Sequence, residues 1–102
     1  MVEVIWTDNA LEDLDEIGEY IANDSIRYAE KTVGDLFFST EILESHPKAG
    51  PVVPELSNKS IRQLIVGNFR IVYQIMNKSR IDVLTVHRTS RIIENTMNLD
   101  DL

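Results

Sequence analysis

The sequence predicts an α+β fold in which one strand, two helices and three further strands follow one another as β-α-α-β-β-β. Three observations predict it. Apolar residues recur at helical spacing in the first half of the chain, as at Leu14, Ile17 and Ile21, and alternate with polar residues in the second half. A segment with three prolines separates the two patterns. We therefore expect a mainly antiparallel sheet with an N-terminal helical hairpin packed on one face.

The first strand and the first helix occupy the N-terminal quarter. The run VEVIWT, residues 2–7, is rich in β-branched and aromatic residues and predicts a short strand. The helical pattern follows over residues 9–23, with Asp8 or Asn9 able to cap its first N–H groups. The acids of this helix lie opposite its apolar stripe. They indicate a solvated face better than a catalytic carboxylate pair.

The second helix is predicted over residues 25–46. Asn23-Asp24-Ser25 supplies a break and a new cap. The helix should stop near His46, because the following Pro47 disfavours a helical residue before it. We assign His46 a structural role for that reason. The link between the helices is short, which predicts a hairpin.

Three β-rich runs complete the fold: SIRQLIVG, NFRIVYQIM and RIDVLTVH. Gly67-Asn68 and Asn77-Lys78-Ser79 lie between them as hairpin turns. Alternate residues of a strand share a face, so helices on one side should cover the odd positions of the middle strand and leave Arg70 on the other side. The side chains that we expect in the core are Leu14, Ile17, Ile21, Val33, Leu36, Phe37, Phe69, Ile71 and Tyr73.

Length and composition bound the class of protein. At 102 residues, the chain is expected to form a single domain over 1–102, with 93–102 as a frayed tail. It has no cysteine, and we see neither a basic leader nor a long apolar run, so we expect a cytoplasmic protein with no membrane contact. Two scattered histidines do not make a metal site, and no phosphate-binding loop or hydrolase motif occurs. No cofactor is predicted.

The charge is distributed unevenly. The net charge is −7, which ordinarily argues against a nucleic-acid-binding protein. Residues 1–60 hold 4 Lys/Arg and 13 Asp/Glu, whereas residues 61–102 hold 6 Lys/Arg and 4 Asp/Glu. An acidic half and a basic half can mark a binding face, although an ordinary solvated surface has the same pattern.

The candidate site residues lie on or beside the three predicted sheet strands. Arginine's planar fork suits phosphates and carboxylates, and histidine can transfer a proton near neutral pH. Cleavage of RNA by its 2′-hydroxyl needs a base, an acid and cations around the phosphorane, and His87 with Arg62 and Arg70 is a minimal set. Two alternatives stay open: the basic residues grip a partner, or they pair with acids and stabilise the fold. The candidates are Arg62, Arg70, His87, Arg88 and Arg91.

The segments IRQLIVGNFRIVYQI and IDVLTVHRTSR, together with A..DL..I..YIA and P..G..V.EL, resemble the RelE/ParE superfamily of toxins from type II toxin–antitoxin systems. The resemblance covers residues 2 to about 93. It implies either a ribosome-dependent mRNA endoribonuclease, as in RelE, or an inhibitor of DNA gyrase, as in ParE. In both branches a cognate antitoxin neutralises the toxin, which implies a hetero-oligomer.

The two branches differ in their cationic residues. The resemblance places Arg70 of FRIVY at a catalytic arginine of the RelE branch. The lysines of the preceding RelE strand are missing here, where only Arg62 stands, and Thr89 and Asn95 fall near the later RelE arginine and tyrosine. The RNase set is therefore partial, with Arg91 and Arg88 as imperfect substitutes. We prefer a ParE-like binding inhibitor to an enzyme. The alternatives are a RelE-like mRNase acting on ribosome and mRNA, and a non-toxic α+β protein-binding domain.

Overall fold

The structure is a computed structural model that describes residues 1–89. Its elements follow the predicted order. The strands are β1 (Glu3–Trp6), β2 (Ile61–Val66), β3 (Phe69–Asn77) and β4 (Arg80–Arg88), and the helices are α1 (Asp8–Ala22) and α2 (Ile26–Ser39), the latter followed by a 3₁₀ helix (Thr40–Glu44).

The four strands form one sheet in the order β1-β4-β3-β2. β2 pairs antiparallel with β3, and β3 pairs antiparallel with β4. β1 pairs in parallel with the far edge of β4, so the last strand described lies between the first strand and β3. The predicted α+β fold with a mainly antiparallel sheet is confirmed.

Side-chain hydroxyls begin both helices. Thr7, and not Asp8 or Asn9, is the N-cap of α1: its side chain accepts from the N–H of Ala10 at 3.2 Å. Asn9 instead donates to the Leu84 carbonyl of β4. Ser25 caps α2 as expected and accepts from the N–H of Tyr28 at 3.0 Å.

The second helix ends earlier than expected. The α-helical part stops at Ser39, seven residues before His46, and the chain continues as the tighter 3₁₀ helix. The hydroxyls of Ser39 and Thr40 donate to the carbonyls of Leu36 and Phe37. These carbonyls are the acceptors that the next α-helical turn would use, and the hydroxyls compete for them.

The helices cover one face of the sheet. Leu14, Leu36, Phe69 and Ile71 are buried there, as predicted, and Tyr73 is fully buried in an adjoining cluster with Leu43 and Ile81. The predicted core residues Ile17, Ile21 and Val33 pack against this core and are partly buried.

The expectation that Phe37 is buried is wrong: 42% of it is exposed. Consecutive residues on an α-helix lie about 100° apart, so Leu36 and Phe37 cannot both point into the core. Leu36 takes the core position. Phe37 packs its ring on Trp6, with the centroids 5.2 Å apart.

β4 contains a bulge, and Asn9 of α1 donates to the Leu84 carbonyl there. Val72 pairs with Thr85 and Tyr73 pairs with Val83, so Leu84 is the extra residue. The bulge shifts the alternation of β4, and as a result both Val83 and Val86 contribute to the helix-covered core. It also fixes which face each residue near the end of β4 occupies.

The segment between the 3₁₀ helix and β2 lies along the outer edge of β2. The N–H of Val53 donates to Ile61, and that of Gln63 donates to Pro51. Gly50 passes so close to the Gln63 carbonyl that a β-carbon there would collide with it. This segment therefore brings its side chains beside the sheet positions that hold the candidate site.

Candidate functional site

One row of side chains crosses three strands on the face away from the helices, which we call the outer face. Arg70 pairs directly with Ile65 of β2 and with His87 of β4. Its neighbours Phe69 and Ile71 point into the helix-covered core. Because side chains directly opposite in an antiparallel ladder share a face, Arg70, His87 and Ile65 lie side by side on the outer face.

This row forms the floor of a depression of about 400 Å³, which we call the Arg70 cleft. Two of the predicted site residues besides Arg70 border it, together with residues from β2 and from the segment before it. Its lining consists of Glu55, Gln63, Ile65, Arg70, His87, Arg88 and Thr89.

Arg70 has an acidic partner across the cleft. Its Nη1 donates to Oε2 of Glu55 at 3.1 Å. The Arg70 side chain is 24% exposed and that of Glu55 is 59% exposed. A hydrogen bond from its own backbone, and then the one from Arg70, lower the pKa of Glu55, and the nearby His87 adds to this.

Two buried polar atoms of the cleft have no partner among residues 1–89: Nε of Arg70, a donor, and Oε1 of Gln63, an acceptor. Buried polar groups are normally hydrogen-bonded. The Arg70 guanidinium has five N–H donors, and its contact with Glu55 uses one of them. The cleft therefore contains both an unused hydrogen-bond donor and an unused acceptor.

His87 is exposed, and its Nδ1 lies 3.4 Å from the Arg88 carbonyl oxygen. Arg88 faces the other side of the strand, where it pairs with Phe69. Its guanidinium carbon lies 5.2 Å from the Phe69 ring centroid and 5.7 Å from that of Tyr20. Cation–π contacts of this length orient an arginine at the surface. Arg88 thus packs on two aromatic rings at the end of β4 and also borders the Arg70 cleft.

Arg62 is separated from Arg70 by the sheet. It pairs with Tyr73, whose side chain is fully buried on the helix-covered face. Its Nη1 donates to the Gly50 carbonyl at 2.8 Å. Arg62 therefore holds the segment before β2 in place. Arg91, the remaining candidate, lies outside the residues that the structure describes.

Glu55 and Gln63 were not among the residues predicted for the site. For Gln63 the sequence carries no signal that we can identify. For Glu55 it does: between Glu44 and Asp82 it is the only acid in the chain. A lone carboxylate that precedes a basic half is a candidate counter-ion for one of its arginines.

The outer face places a cation and an imidazole together where an anion can bind. Arg70 and His87 supply a cation and an imidazole ring side by side. Arg62 is on the opposite face, and Glu55 already neutralises part of the Arg70 charge.

Within residues 1–89 no three His, Asp or Glu side chains come together as a metal site requires. No helix in this part of the chain is long and apolar enough to cross a membrane.

Comparison with known proteins gives consistent matches. Residues 4–93 match the family model described as the ParE toxin of the type II toxin–antitoxin system parDE. The chain is similar to a structure of the chromosomal ParDE toxin–antitoxin system from P. aeruginosa, with 25% identity and a TM-score of 0.73 over 88% of this chain and 98% of that one.

The fold also matches a second solved structure, the toxin–antitoxin complex RelBE2 from Mycobacterium tuberculosis. The identity is 19% and the TM-score 0.58, over 85% of this chain and 96% of that one. No curated protein sequence matches.

Proposed function

The chain belongs to the family of ParE toxins of type II toxin–antitoxin systems, and from this premise we propose that it inhibits DNA gyrase by binding it and not by cutting RNA. We further propose that it acts in the cytoplasm and that an antitoxin encoded alongside neutralises it. The matching family model and the similar solved structure are both described as parts of a ParDE toxin–antitoxin system, which supports an antitoxin partner.

The observation that carries the choice of a binding inhibitor is the division of the predicted cationic cluster. RNA cleavage by in-line attack passes through a phosphorane that carries more negative charge than the phosphodiester, and cations on one surface must stabilise it. The pairing of β2 with β3 puts Arg62 on the face opposite Arg70. Glu55 then takes up part of the positive charge that Arg70 offers. Of the residues described, Arg70, His87 and Arg88 are the basic side chains that border the cleft.

One observation favours the alternative, a RelE-like mRNase. Arg70 and His87 are directly opposed on β3 and β4, so a phosphate between them would meet a cation and a proton-transfer group together. Arg91, which lies outside the described residues, is a further candidate for such a site. The alternative predicts that His87 is essential.

For the antitoxin we propose the Arg70 cleft as one contact surface. The toxin is acidic overall, with a net charge of −7, whereas Arg70, His87 and Arg88 border the cleft. Ile65, in the floor of the cleft, is 57% exposed, and Leu56, next to Glu55 in sequence, is 45% exposed. An antitoxin segment with acidic and aliphatic residues fits both features, in either an extended or a helical form.

Expression in a bacterial host tests the proposal. A gyrase inhibitor should damage DNA, and an SOS reporter should respond within the first generations after induction, before bulk protein synthesis stops. Co-expression of the neighbouring open reading frame should suppress the response and yield a complex that co-purifies. Arrest of translation without an SOS response would favour the mRNase. Growth at the normal rate, with no co-purifying partner, would favour a non-toxic binding domain.

A further inference from the structure

We propose that Glu55 is an internal counter-ion that occupies the ligand position on Arg70, and that a carboxylate of an acidic peptide segment displaces it when that segment binds the cleft. The inference rests on the proposed function, because the antitoxin supplies the segment. Glu55 then competes with the segment for Arg70 and so lowers the affinity of the toxin for the segment.

The geometry of the pair permits this exchange. Glu55 reaches Arg70 through a single contact, Oε2 to Nη1 at 3.1 Å, and not through the paired contacts that strengthen arginine–carboxylate bridges. Glu55 is more than half exposed and belongs to an irregular segment between Pro54 and β2. A pair with one hydrogen bond and a solvated carboxylate is weak, since solvent competes for the Glu55 charge. A ligand carboxylate can therefore replace it at little cost.

The unused polar atoms indicate what the ligand must offer. Nε of Arg70 needs an acceptor, and Oε1 of Gln63 needs a donor. A carboxylate that approaches the guanidinium edge-on accepts from Nε and from an Nη together, which Glu55 does not do. A peptide also carries backbone N–H groups that can donate to Gln63. Both atoms are buried in this structure, so a peptide with an acidic side chain satisfies them only after side chains of the cleft have moved.

Two further features favour a peptide over a nucleic acid. Ile65 stands beside Arg70 on the outer face and is 57% exposed, so the cleft offers an apolar contact that a phosphate backbone does not use. The net charge of −7 opposes the approach of a polyanion with one charge per nucleotide. A short segment of acidic and aliphatic residues uses the apolar contact at Ile65 and carries fewer charges in total than a long polyanion.

The test is a titration of the isotope-labelled toxin with an acetylated and amidated peptide of alternating leucine and glutamate residues. The Arg70 Nε–H signal and the Ile65 backbone amide report binding in the cleft by NMR. The variants are Glu55→Gln, which keeps the side-chain shape and removes the charge, and Arg70→Lys, which keeps the charge and removes Nε–H. Glu30→Gln is the matched control, since Glu30 is an exposed acid on α2 and changes the net charge equally.

We expect the Glu55→Gln toxin to bind the peptide about two- to fivefold more tightly than the wild type, a factor typical of a weak ion pair lost as a competitor. Glu30→Gln should match the wild type, and Arg70→Lys should bind more weakly. Circular dichroism confirms that each variant is folded. The inference would be overturned if Glu55→Gln bound the peptide no more tightly than the wild type does. It would also be overturned if Glu30→Gln tightened binding as much as Glu55→Gln, or if Arg70→Lys bound as tightly as the wild type.

A second titration with a short single-stranded RNA tests the class of ligand. If Glu55→Gln bound the RNA more tightly than the wild type does, but bound the peptide equally well, the choice of a peptide ligand would be overturned. Gyrase inhibition by the same preparations separates this inference from the proposed function. If the wild type inhibits gyrase while Glu55→Gln leaves peptide binding unchanged, only the role of Glu55 fails. If gyrase is unaffected while peptide binding tightens, the proposed function fails and the role of Glu55 stands.

Discussion

Arg62 and Arg70 lie on opposite faces of the same sheet. In the β2–β3 ladder Arg62 pairs with Tyr73 and Arg70 pairs with Ile65, so the sheet itself separates the two guanidinium groups. Arg62 binds the carbonyl of Gly50, and Arg70 binds the carboxylate of Glu55. One arginine thus stabilises the fold, while the other is available to a ligand.

Replacement of Arg62 should therefore affect stability and not activity. Arg62→Met removes the charged hydrogen bond to the Gly50 carbonyl, and we expect the free energy of unfolding to fall by about 1–2 kcal/mol. Urea denaturation measures this, with Lys78→Met in the exposed β3–β4 turn as the matched control. Gyrase inhibition per folded molecule should stay at the wild-type level. A folded Arg62→Met protein without inhibitory activity would show that Arg62 belongs to the functional site.

Tyr73 joins the sheet to the segment before β2. Its hydroxyl donates to the Pro47 carbonyl at 2.8 Å and accepts from the N–H of Gly50 at 3.0 Å. Tyr73→Phe leaves both backbone groups without this partner. We expect the free energy of unfolding to fall by about 1–3 kcal/mol at pH 7. An unchanged urea midpoint would mean that solvent replaces both hydrogen bonds.

The same residue gives the stability a dependence on pH in alkaline solution. Burial raises the pKa of Tyr73 above its ordinary value of 10.0. The unfolded chain therefore ionises Tyr73 first, and its contribution to stability is present below pH 10 and declines as the pH rises from there towards the folded pKa. The free energy of unfolding should fall more steeply above pH 10 for the wild type than for Tyr73→Phe. Parallel curves for the two proteins would contradict the raised pKa.

Asp13 anchors α1 to the bulge of β4. Its Oδ2 accepts from Thr85 Oγ1 at 2.6 Å and from the Val86 N–H at 3.0 Å. Asp13→Asn weakens both contacts, and we expect a loss of about 1–2 kcal/mol in stability. Hydrogen exchange of the Val86 amide should accelerate. The exposed Asp15→Asn, on the same helix, should change neither quantity. Slow exchange at Val86 in Asp13→Asn would show that this carboxylate does not hold the bulge.

The residue pattern was sufficient to predict the order of elements and one face of the middle strand. The alternation of Phe69, Arg70 and Ile71 determines that Arg70 points away from the core, whatever strand lies beside it. The burial of Leu36 also followed from helical spacing. Phe37 was assigned wrongly because a stripe of apolar letters does not show which of two consecutive residues points inward.

The composition of the site depends on contacts that alternation alone does not specify. Whether Arg62 shares a face with Arg70 depends on the register of β2 against β3, and a slip of one residue would reverse the answer. The bulge at Leu84 alters the phase of β4 and so the side on which His87 lies. The contact of Glu55 with Arg70 comes from an irregular segment, for which no periodicity exists.

His87 distinguishes the two candidate mechanisms. If the toxin acts by binding gyrase, no proton transfer is involved, and His87→Gln should inhibit gyrase within about twofold of the wild type, as expected for a surface substitution. If the toxin cuts RNA, the same change removes a proton-transfer group, typically worth about 10²–10⁴-fold in rate. Toxicity after induction, compared at equal protein levels, measures the difference.

The most direct measurement compares the purified toxin in two reactions: supercoiling of relaxed plasmid by purified gyrase, and cleavage of mRNA at the ribosomal A site in a reconstituted translation system. We predict that supercoiling is inhibited at stoichiometric toxin, that the co-purified antitoxin restores it, and that the mRNA stays intact. Cleavage of mRNA at the A site with gyrase unaffected, and loss of that cleavage in folded Arg70→Lys and His87→Gln proteins, would contradict the binding mechanism and make the Arg70 cleft an active site.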